Sequence, residues 1–293
     1  MSTMKSVLIT GASTGIGRSS ALRLDSEGFQ VFAGVRKPGD GDGLKKASTG
    51  GLIPVMLDVT DAKSIATVVK TVSEKTNGEL SGLMNNAGLT GGGPVEMVPI
   101  SKIRSIIEVN LISIFAVTQA FLPMLRKSKG RIINTGSIFG LIALPGRSIY
   151  AATKFALEAI SESLRLELRP FGITVSVLEP GAIATEIWRK GSASTDEIIE
   201  QSQPGIYELY EPLLQFYKKS LRNKNIWHRK LLQIVSFMRS RQGSQNGIML
   251  SVMTQNSCFG SNDYRKASGI GLFIRLYTNN CIPTVKEIEI RGS

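Results

Sequence analysis

Ser6-Val-Leu-Ile-Thr-Gly-Ala-Ser-Thr-Gly-Ile-Gly17 carries a short β-branched run into a glycine-rich turn and then into a helical stretch. Glycines at a strand-to-helix turn allow positive φ and close backbone approach. The free N–H groups of the new helix face that turn, and with the helix dipole they suit a pyrophosphate. Working outward, Gln30–Val35, Leu52–Leu57, Gly82–Asn85, Arg131–Thr135 and Thr174–Leu178 repeat the strand pattern of Ser6–Ile9. Between them Ile65, Val68, Val69 and Val72 follow the spacing of a half-buried helix, and Phe155, Ala159, Ser163 and Leu166 do much the same. Six strands separated by helices imply βαβ units with right-handed crossovers. The expected fold is therefore α/β: one doubly wound domain around a parallel sheet covered on both faces, with no internal repeat.

The composition is that of an ordinary globular chain: 293 residues, 42% apolar and 20% charged. It excludes a collagen, a low-complexity tail and a disulfide miniprotein. Cys258 and Cys281 are too few and too far apart for a metal knuckle or a disulfide framework, so no metal is expected and the chain reads as intracellular. The most apolar region, Ile106 to Leu125, is interrupted by Glu108, Asn110, Ser113, Thr118 and Gln119, so no membrane span is expected. The amino terminus moves straight into a β-branched run and leaves no room for a signal peptide, which points to the cytoplasm.

The net charge of +12 is unevenly spread: residues 1–219 hold 24 Lys/Arg against 20 Asp/Glu, and residues 220–293 hold 11 against 3. The last quarter also contains both cysteines, the sole histidine His228 and Trp227. That shift marks a boundary, with a main domain over 1–219 and an atypical basic segment over 220–293.

Two further sets of residues carry chemistry. The second strand ends in Arg36-Lys37, where an NAD-selective site places an acid for the ribose 2′-hydroxyl; Arg36 instead suits a 2′-phosphate, so NADP(H) is expected over NAD(H). Tyr150 and Lys154 are spaced i, i+4 at the start of a helix, and Ser137 lies just past the strand Arg131–Thr135, near the sheet edge where ligands bind in such folds. A phenol with a reference pKa near 10 is a poor acid or base at pH 7, and a neighbouring ammonium favours its ionised form. Ser137 is placed to hydrogen-bond a substrate oxygen.

Together these residues resemble the short-chain dehydrogenase/reductase family in its Rossmann-type form. The resemblance covers about residues 1–219 and rests on Thr10-Gly11 with Gly15-Ile-Gly17, Asp58-Val59, Asn85-Asn-Ala-Gly88, Asn110, Ser137, Tyr150-x-x-x-Lys154 and Pro180-Gly181. It implies that Tyr150 is the general acid/base, that Lys154 lowers its pKa and binds the nicotinamide ribose, that Ser137 orients the substrate oxygen, and that Asn110 holds a water linking Lys154 to solvent. Thr10 through Gly17, with Ser13 and Thr14, would hold the pyrophosphate; Asp58 and Val59 would bind the adenine ring; Asn86, Ala87 and Gly88 would line the adenine ribose; Pro180, Gly181, Ile183 and Thr185 would border the nicotinamide. Val31–Pro38 and Leu164–Pro170 are similar to the branch containing 17β-hydroxysteroid and retinol dehydrogenases. Asp58 and Thr185 could equally cap helices, and Asn85 could brace the sheet.

The implied activity is hydride transfer between a nicotinamide and a lipophilic alcohol, ketone or aldehyde. Its pocket is expected from Phe139 to Arg147, Ile187 to Trp188 and Ile206 to Tyr217, which are mostly apolar. The alternative is a catalytically impaired protein that binds cofactor as a sensor. The resemblance also implies a homodimer or homotetramer through the helices around Ile103–Leu125 and Tyr150–Leu168. No nucleic-acid partner is expected.

After Lys219 the family pattern stops, with no seventh strand, which would leave one sheet edge unpaired. Two readings stand: a basic appendage that touches nucleic acid or an anionic membrane, or a frameshift. Back-translated one register later, Trp227–Lys230 can encode Ala-Pro-Glu, and the stretch from Met238 can encode Ala-Leu-Thr-Ala-Arg and then Arg-Tyr followed by Val-Gly. Those strings are similar to what this branch carries at that point.

Overall fold

The computed structural model describes residues 4–141, 143, 146–180, 198, 205–220, 248–252, 272–276 and 284–288. The expected alternation is present: β1 (Ser6–Ile9), α1 (Gly15–Ser26), β2 (Gln30–Val35), α2 (Pro38–Ala47), β3 (Leu52–Met56), α3 (Ala62–Thr76) and β4 (Gly82–Asn85). There follow α4 (Ile100–Ile107), a π-helical turn (Glu108–Ile112), α5 (Ser113–Ser128), β5 (Arg131–Thr135), α6 (Ser148–Leu168), β6 (Thr174–Pro180) and α7 (Ile206–Ser220). Three later strands, β7 (Ile248–Val252), β8 (Leu272–Leu276) and β9 (Thr284–Ile288), complete a sheet of order β3-β2-β1-β4-β5-β6-β7-β8-β9. The strands β1 to β7 run parallel; β8 and β9 are antiparallel additions.

The doubly wound reading holds, and each face of the sheet has its own core. On one face Val68 and Val72 of α3, Val117, Phe121 and Leu125 of α5 and Leu168 of α6 meet Leu8, Phe32, Leu83 and Ile132. On the other, Ala21 and Leu24 of α1 and Leu44 of α2 meet Val7, Ile9, Val31, Ala33 and Met84. Strand residues that face both ways into helices are buried on both sides, which is why these strands read as near-continuous apolar runs. The helix from Ile100 to Ser128 is long and apolar enough by length and composition to cross a membrane. Here its Ile106, Ile114, Val117, Phe121 and Leu125 are buried against the protein's own core.

Two expectations are corrected. The stripe Phe155, Ala159, Ser163 and Leu166 is not the buried face of α6 but its exposed one; the buried face carries Tyr150, Ala151, Thr153, Lys154, Leu157, Ser161 and Leu168. Periodicity misled because the inward face is largely polar, as a functional site requires. The sheet edge beyond β6 is also not unpaired. β7 lies parallel to it with Leu178 opposite Leu250 and Pro180 opposite Val252, and β6 extends past Leu178 to reach this partner. The apolar runs Ile248-Met-Leu-Ser-Val252 and Leu272-Phe-Ile-Arg-Leu276 supply the β-propensity for this pairing.

Candidate active site

Parallel register brings the carboxyl ends of β1, β4, β5 and β6 to one rim: Ile9 is level with Met84, Asn85 with Asn134, and Thr135 with Leu178. The turn after β1 is locked to the segment after β4. Thr10 Oγ1 accepts from the backbone N–H of Asn86 and of Ala87, both at 2.9 Å. Asn86 Nδ2 donates to the carbonyls of Thr10 and Gly11 at 3.0 Å. Gly11 has φ +64, and a Cβ there would stand 2.8 Å from Ala87 Cα; a Cβ on Gly17 would collide with Gly11 O and Asn86 Nδ2. The glycines therefore let two backbones and one amide meet at the mouth of α1.

That mouth suits an anion. Thr14 occupies the N-cap position with extended backbone and makes no side-chain cap bond, and no acidic residue stands in the first turn of α1. The first-turn N–H groups of a helix have no intrahelical partner, so these donors point at whatever occupies the turn. Ser13, Thr14, Gly15 and Ile16 sit half-buried around it. Arg36, at the end of β2, is exposed, and its charge reaches Asp58 at the end of β3. Asp58 Oδ1 accepts from Thr60 N at 2.9 Å and Thr60 Oγ1 at 2.7 Å; these bonds, helped by Arg36, hold its carboxyl below the usual range. The helix cap that Asp58 could have provided is made by Asp61, which accepts from Lys63 N. Val59 packs into the core beneath.

The second half of the site lies at the ends of β4, β5 and β6. Ser137 caps the 3₁₀ turn Ile138–Gly140, accepting from Phe139 N at 3.2 Å, and its hydroxyl acts on the Tyr150 phenol in the direction of ionisation. Tyr150 is 6% exposed, with the Phe139 ring edge-on at 5.8 Å. Burial lifts its phenol above the ordinary tyrosine range, opposed by the Ser137 hydroxyl and the Arg147 charge. Lys154 donates to the Thr135 carbonyl at 2.6 Å and stands 5.7 Å from the Tyr150 ring centre. Loss of hydration draws its ammonium down to about 8, with Glu158 acting against that fall. The balance differs from a lysine simply depressing its tyrosine: in this geometry both groups are pushed toward their neutral forms by burial.

Asn110 lies in the π-helical turn, where the extra residue per turn rotates its amide inward. Its Oδ1 accepts from Leu89 N at 2.8 Å, and its Nδ2 donates to Leu89 O at 2.9 Å and to Thr153 Oγ1 at 3.1 Å; Thr153 in turn donates to the Tyr150 carbonyl at 2.8 Å. Asn110 is thus joined to the Tyr150 turn through Thr153. Ala87 and Gly88 follow β4 beside it, and Pro180 ends β6. Gly181, Ile183, Thr185, Ile187 and Trp188 lie outside the described residues.

Asn85, expected as a brace of the sheet, acts through its side chain in a buried layer beneath these groups whose other members the sequence did not single out. Asn85 Nδ2 donates to Thr118 Oγ1 at 3.1 Å and Asn134 Oδ1 at 2.9 Å, and Asn134 Nδ2 donates to Ser161 Oγ at 2.9 Å. This buried chain ties α5, β4, β5 and α6 together by side chains. The available signal was an asparagine inside an apolar strand, Ile132-Ile-Asn134, where its polar amide needs partners.

The short chain dehydrogenase family profile matches residues 5–196. The chain belongs to the short-chain dehydrogenase family. Within it, this short-chain dehydrogenase is 41% identical over 204 residues to the uncharacterized oxidoreductase YbbO of Escherichia coli (strain K12), covering 69% of this chain and 74% of that one. It is 40% identical over 184 residues to retinol dehydrogenase 5 of Mus musculus, covering 62% of this chain and 57% of the relative. Among solved structures, a short-chain dehydrogenase from Streptomyces avermitilis superposes with a TM-score of 0.69 at 30% identity, covering 83% of this chain and 86% of that one. The family is one of oxidoreductases, whose members bind a nicotinamide cofactor and act on small alcohols or ketones.

Proposed function

We propose that this short-chain dehydrogenase interconverts a lipophilic alcohol and its ketone or aldehyde, with NADP(H) as the preferred cofactor and Ser137, Tyr150, Lys154 and Asn110 as its working residues. The observation that carries the reading is the convergence at the carboxyl rim of the sheet of Ser137, which caps the turn after β5, with Tyr150 and Lys154 one helical turn apart on α6, the Lys154 Nζ 5.7 Å from the Tyr150 ring centre. When bound, the nicotinamide supplies or accepts the hydride at the substrate carbon. Tyr150, held as a phenol by its burial, gives its proton to the carbonyl oxygen in the reducing direction and takes it back from the alcohol in the oxidising one. Ser137 donates to the same oxygen and stabilises charge developing there. Lys154 is positively charged below about pH 8 and biases Tyr150 toward the phenolate after proton transfer. Asn110 fixes the helical turn that carries Tyr150, through Thr153.

The pyrophosphate is assigned to the mouth of α1, and a 2′-phosphate to Arg36, whose guanidinium is exposed at the β2 end. The substrate preference is supported by α7, whose Ile206, Tyr207, Tyr210 and Leu214 pack with Met97, Val98 and Ile198 as an apolar cover, Tyr210 donating to Glu96 at 2.9 Å. A second subunit, in a homodimer or homotetramer, would sit on the exposed Ile112, Phe115 and Phe155. The test is a panel of lipophilic ketones and aldehydes with NADPH, on the parent protein and on Tyr150→Phe. The reading requires turnover by the parent and its loss in the variant with cofactor binding retained; equal turnover in both would refute the role of Tyr150.

A further inference from the structure

We propose that Glu158 is a positioning residue of this site: its carboxylate keeps the Lys154 ammonium charged and seats the Ser137 segment on α6. This rests on the assignment of Lys154 and Ser137 above and adds the group that holds both in their working state.

Glu158 follows Lys154 by four residues on α6, the spacing at which two side chains share a helix face. Its Oε1 is shut off from solvent. The carboxylate is wedged against the two glycines that flank Ser137. A Cβ on Gly136 would stand 3.0 Å from Oε1; one on Gly140 would stand 2.9 Å from Oε1, 3.2 Å from Glu158 Cγ and 3.1 Å from the Lys154 carbonyl. At Gly136 the same Cβ would meet Val177 Cγ1 at 2.7 Å before the carboxylate, while at Gly140 its nearest neighbours are the carboxylate and the α6 backbone, so Glu158 packs against both glycines on either side of Ser137 and most closely against Gly140.

The electrostatic need is equally local. Lys154 is buried, and burial alone disfavours an ammonium. The neutral Thr135 carbonyl that it bonds gives only a dipole, whereas Glu158 supplies a full opposite charge. Other ionisable groups near this end of α6 do not replace it. Arg147 at the N-cap of α6 and Tyr150 on α6 itself offer a cation and a phenol; on packed elements, Glu179 of β6 is buried, Lys102 of α4 is half-buried, and Arg104 of α4 and Glu108 of the π-helical turn are exposed. Among the described residues, Glu158 is the carboxylate whose charge acts on Lys154.

The experiment follows the charge on Lys154 without needing a substrate. Full-length protein carrying [6-13C]lysine is titrated by NMR, and the Lys154 signal is assigned by its absence from Lys154→Arg. With Glu158 present, the midpoint is expected near 8; in Glu158→Gln, which keeps size and hydrogen-bonding ability, it is expected to fall clearly below that. Glu158→Asp keeps the charge on a shorter arm and gives an intermediate midpoint, so either variant suffices should the other not fold. A purely structural Glu158 would change melting temperature and leave the midpoint in place, and a midpoint unchanged in either folded variant overturns the proposal. Loss of the oxidoreductase reading would appear separately, as turnover surviving in Tyr150→Phe, which this titration does not touch.

Discussion

The strands before Gly181 and those after Ser220 enter the same sheet by different routes. Each of β1 to β6 runs parallel to its neighbours, and the helices α1, α2, α3, α5 and α6 cover both faces. β7 to β9 are added edge on, parallel at the first contact and antiparallel thereafter. The difference separates what builds the site from what closes the sheet. Every side chain proposed for catalysis or cofactor binding and located here lies at a carboxyl end of β1 to β6 or in the helical segments that follow it, while the later strands satisfy the β6 edge, a demand that many sequences meet. A tail with a foreign amino-acid pattern can therefore coexist with an intact constellation of Ser137, Tyr150 and Lys154.

Four substitutions test that separation, all placed in the first region. Tyr150→Phe has the largest expected effect, a loss of turnover on the order of 10²- to 10⁴-fold, with cofactor binding unchanged by fluorescence titration. Next is Asn134→Leu, which removes the Asn134 partner of both the Asn85 amide and the Ser161 hydroxyl and leaves them only Thr118 and the Leu157 carbonyl; chemical denaturation should show a loss of about 2 kcal/mol.

Asp25 is buried on α1 and accepts from Ser48 Oγ, Thr49 N, Thr49 Oγ1 and Gly51 N. Burial raises its carboxyl, but these four donors outweigh that and hold it below the ordinary range. Asp25→Asn should cost about 2 kcal/mol at neutral pH. Because the folded pKa lies below the unfolded one, this stabilisation is full above the unfolded value and disappears as pH falls through the folded one. Stability curves of parent and variant should converge in acid; a constant gap would refute the assignment. The smallest effect is Arg36→Ala, expected to narrow the preference for NADPH over NADH by about tenfold, or 1.4 kcal/mol.

The first region was readable because its signals are local. A glycine turn after a strand, an i, i+4 Tyr–Lys pair and β-branched runs each report their surroundings within a few residues, and all six expected strands start and end within two residues of the observed ones. Asn85 was legible as a brace of the sheet, but its partners Asn134 and Ser161 were invisible because the three are far apart in sequence and meet only through the packing of β4, β5 and α6. The exposed stripe of α6 misled for a related reason: apolar period identifies a helix face but not which side meets the sheet when the inward side is polar. The tail was unreadable from family spacing, and we propose that it is the shifted reading of the same domain. Sequencing the gene between codons 215 and 260 tests this, with a one-base change expected there and an in-frame sequence with other codons as the contrary result.

The most direct test of the central claim is a parallel titration of the purified full-length protein with NADPH and NADH, followed by the fluorescence of the reduced nicotinamide. The turn after β1, the mouth of α1 and Arg36 predict saturable binding of both, with NADPH tighter by about tenfold or more. A folded protein that binds neither would contradict the assigned cofactor site, and one that prefers NADH would contradict the role given to Arg36.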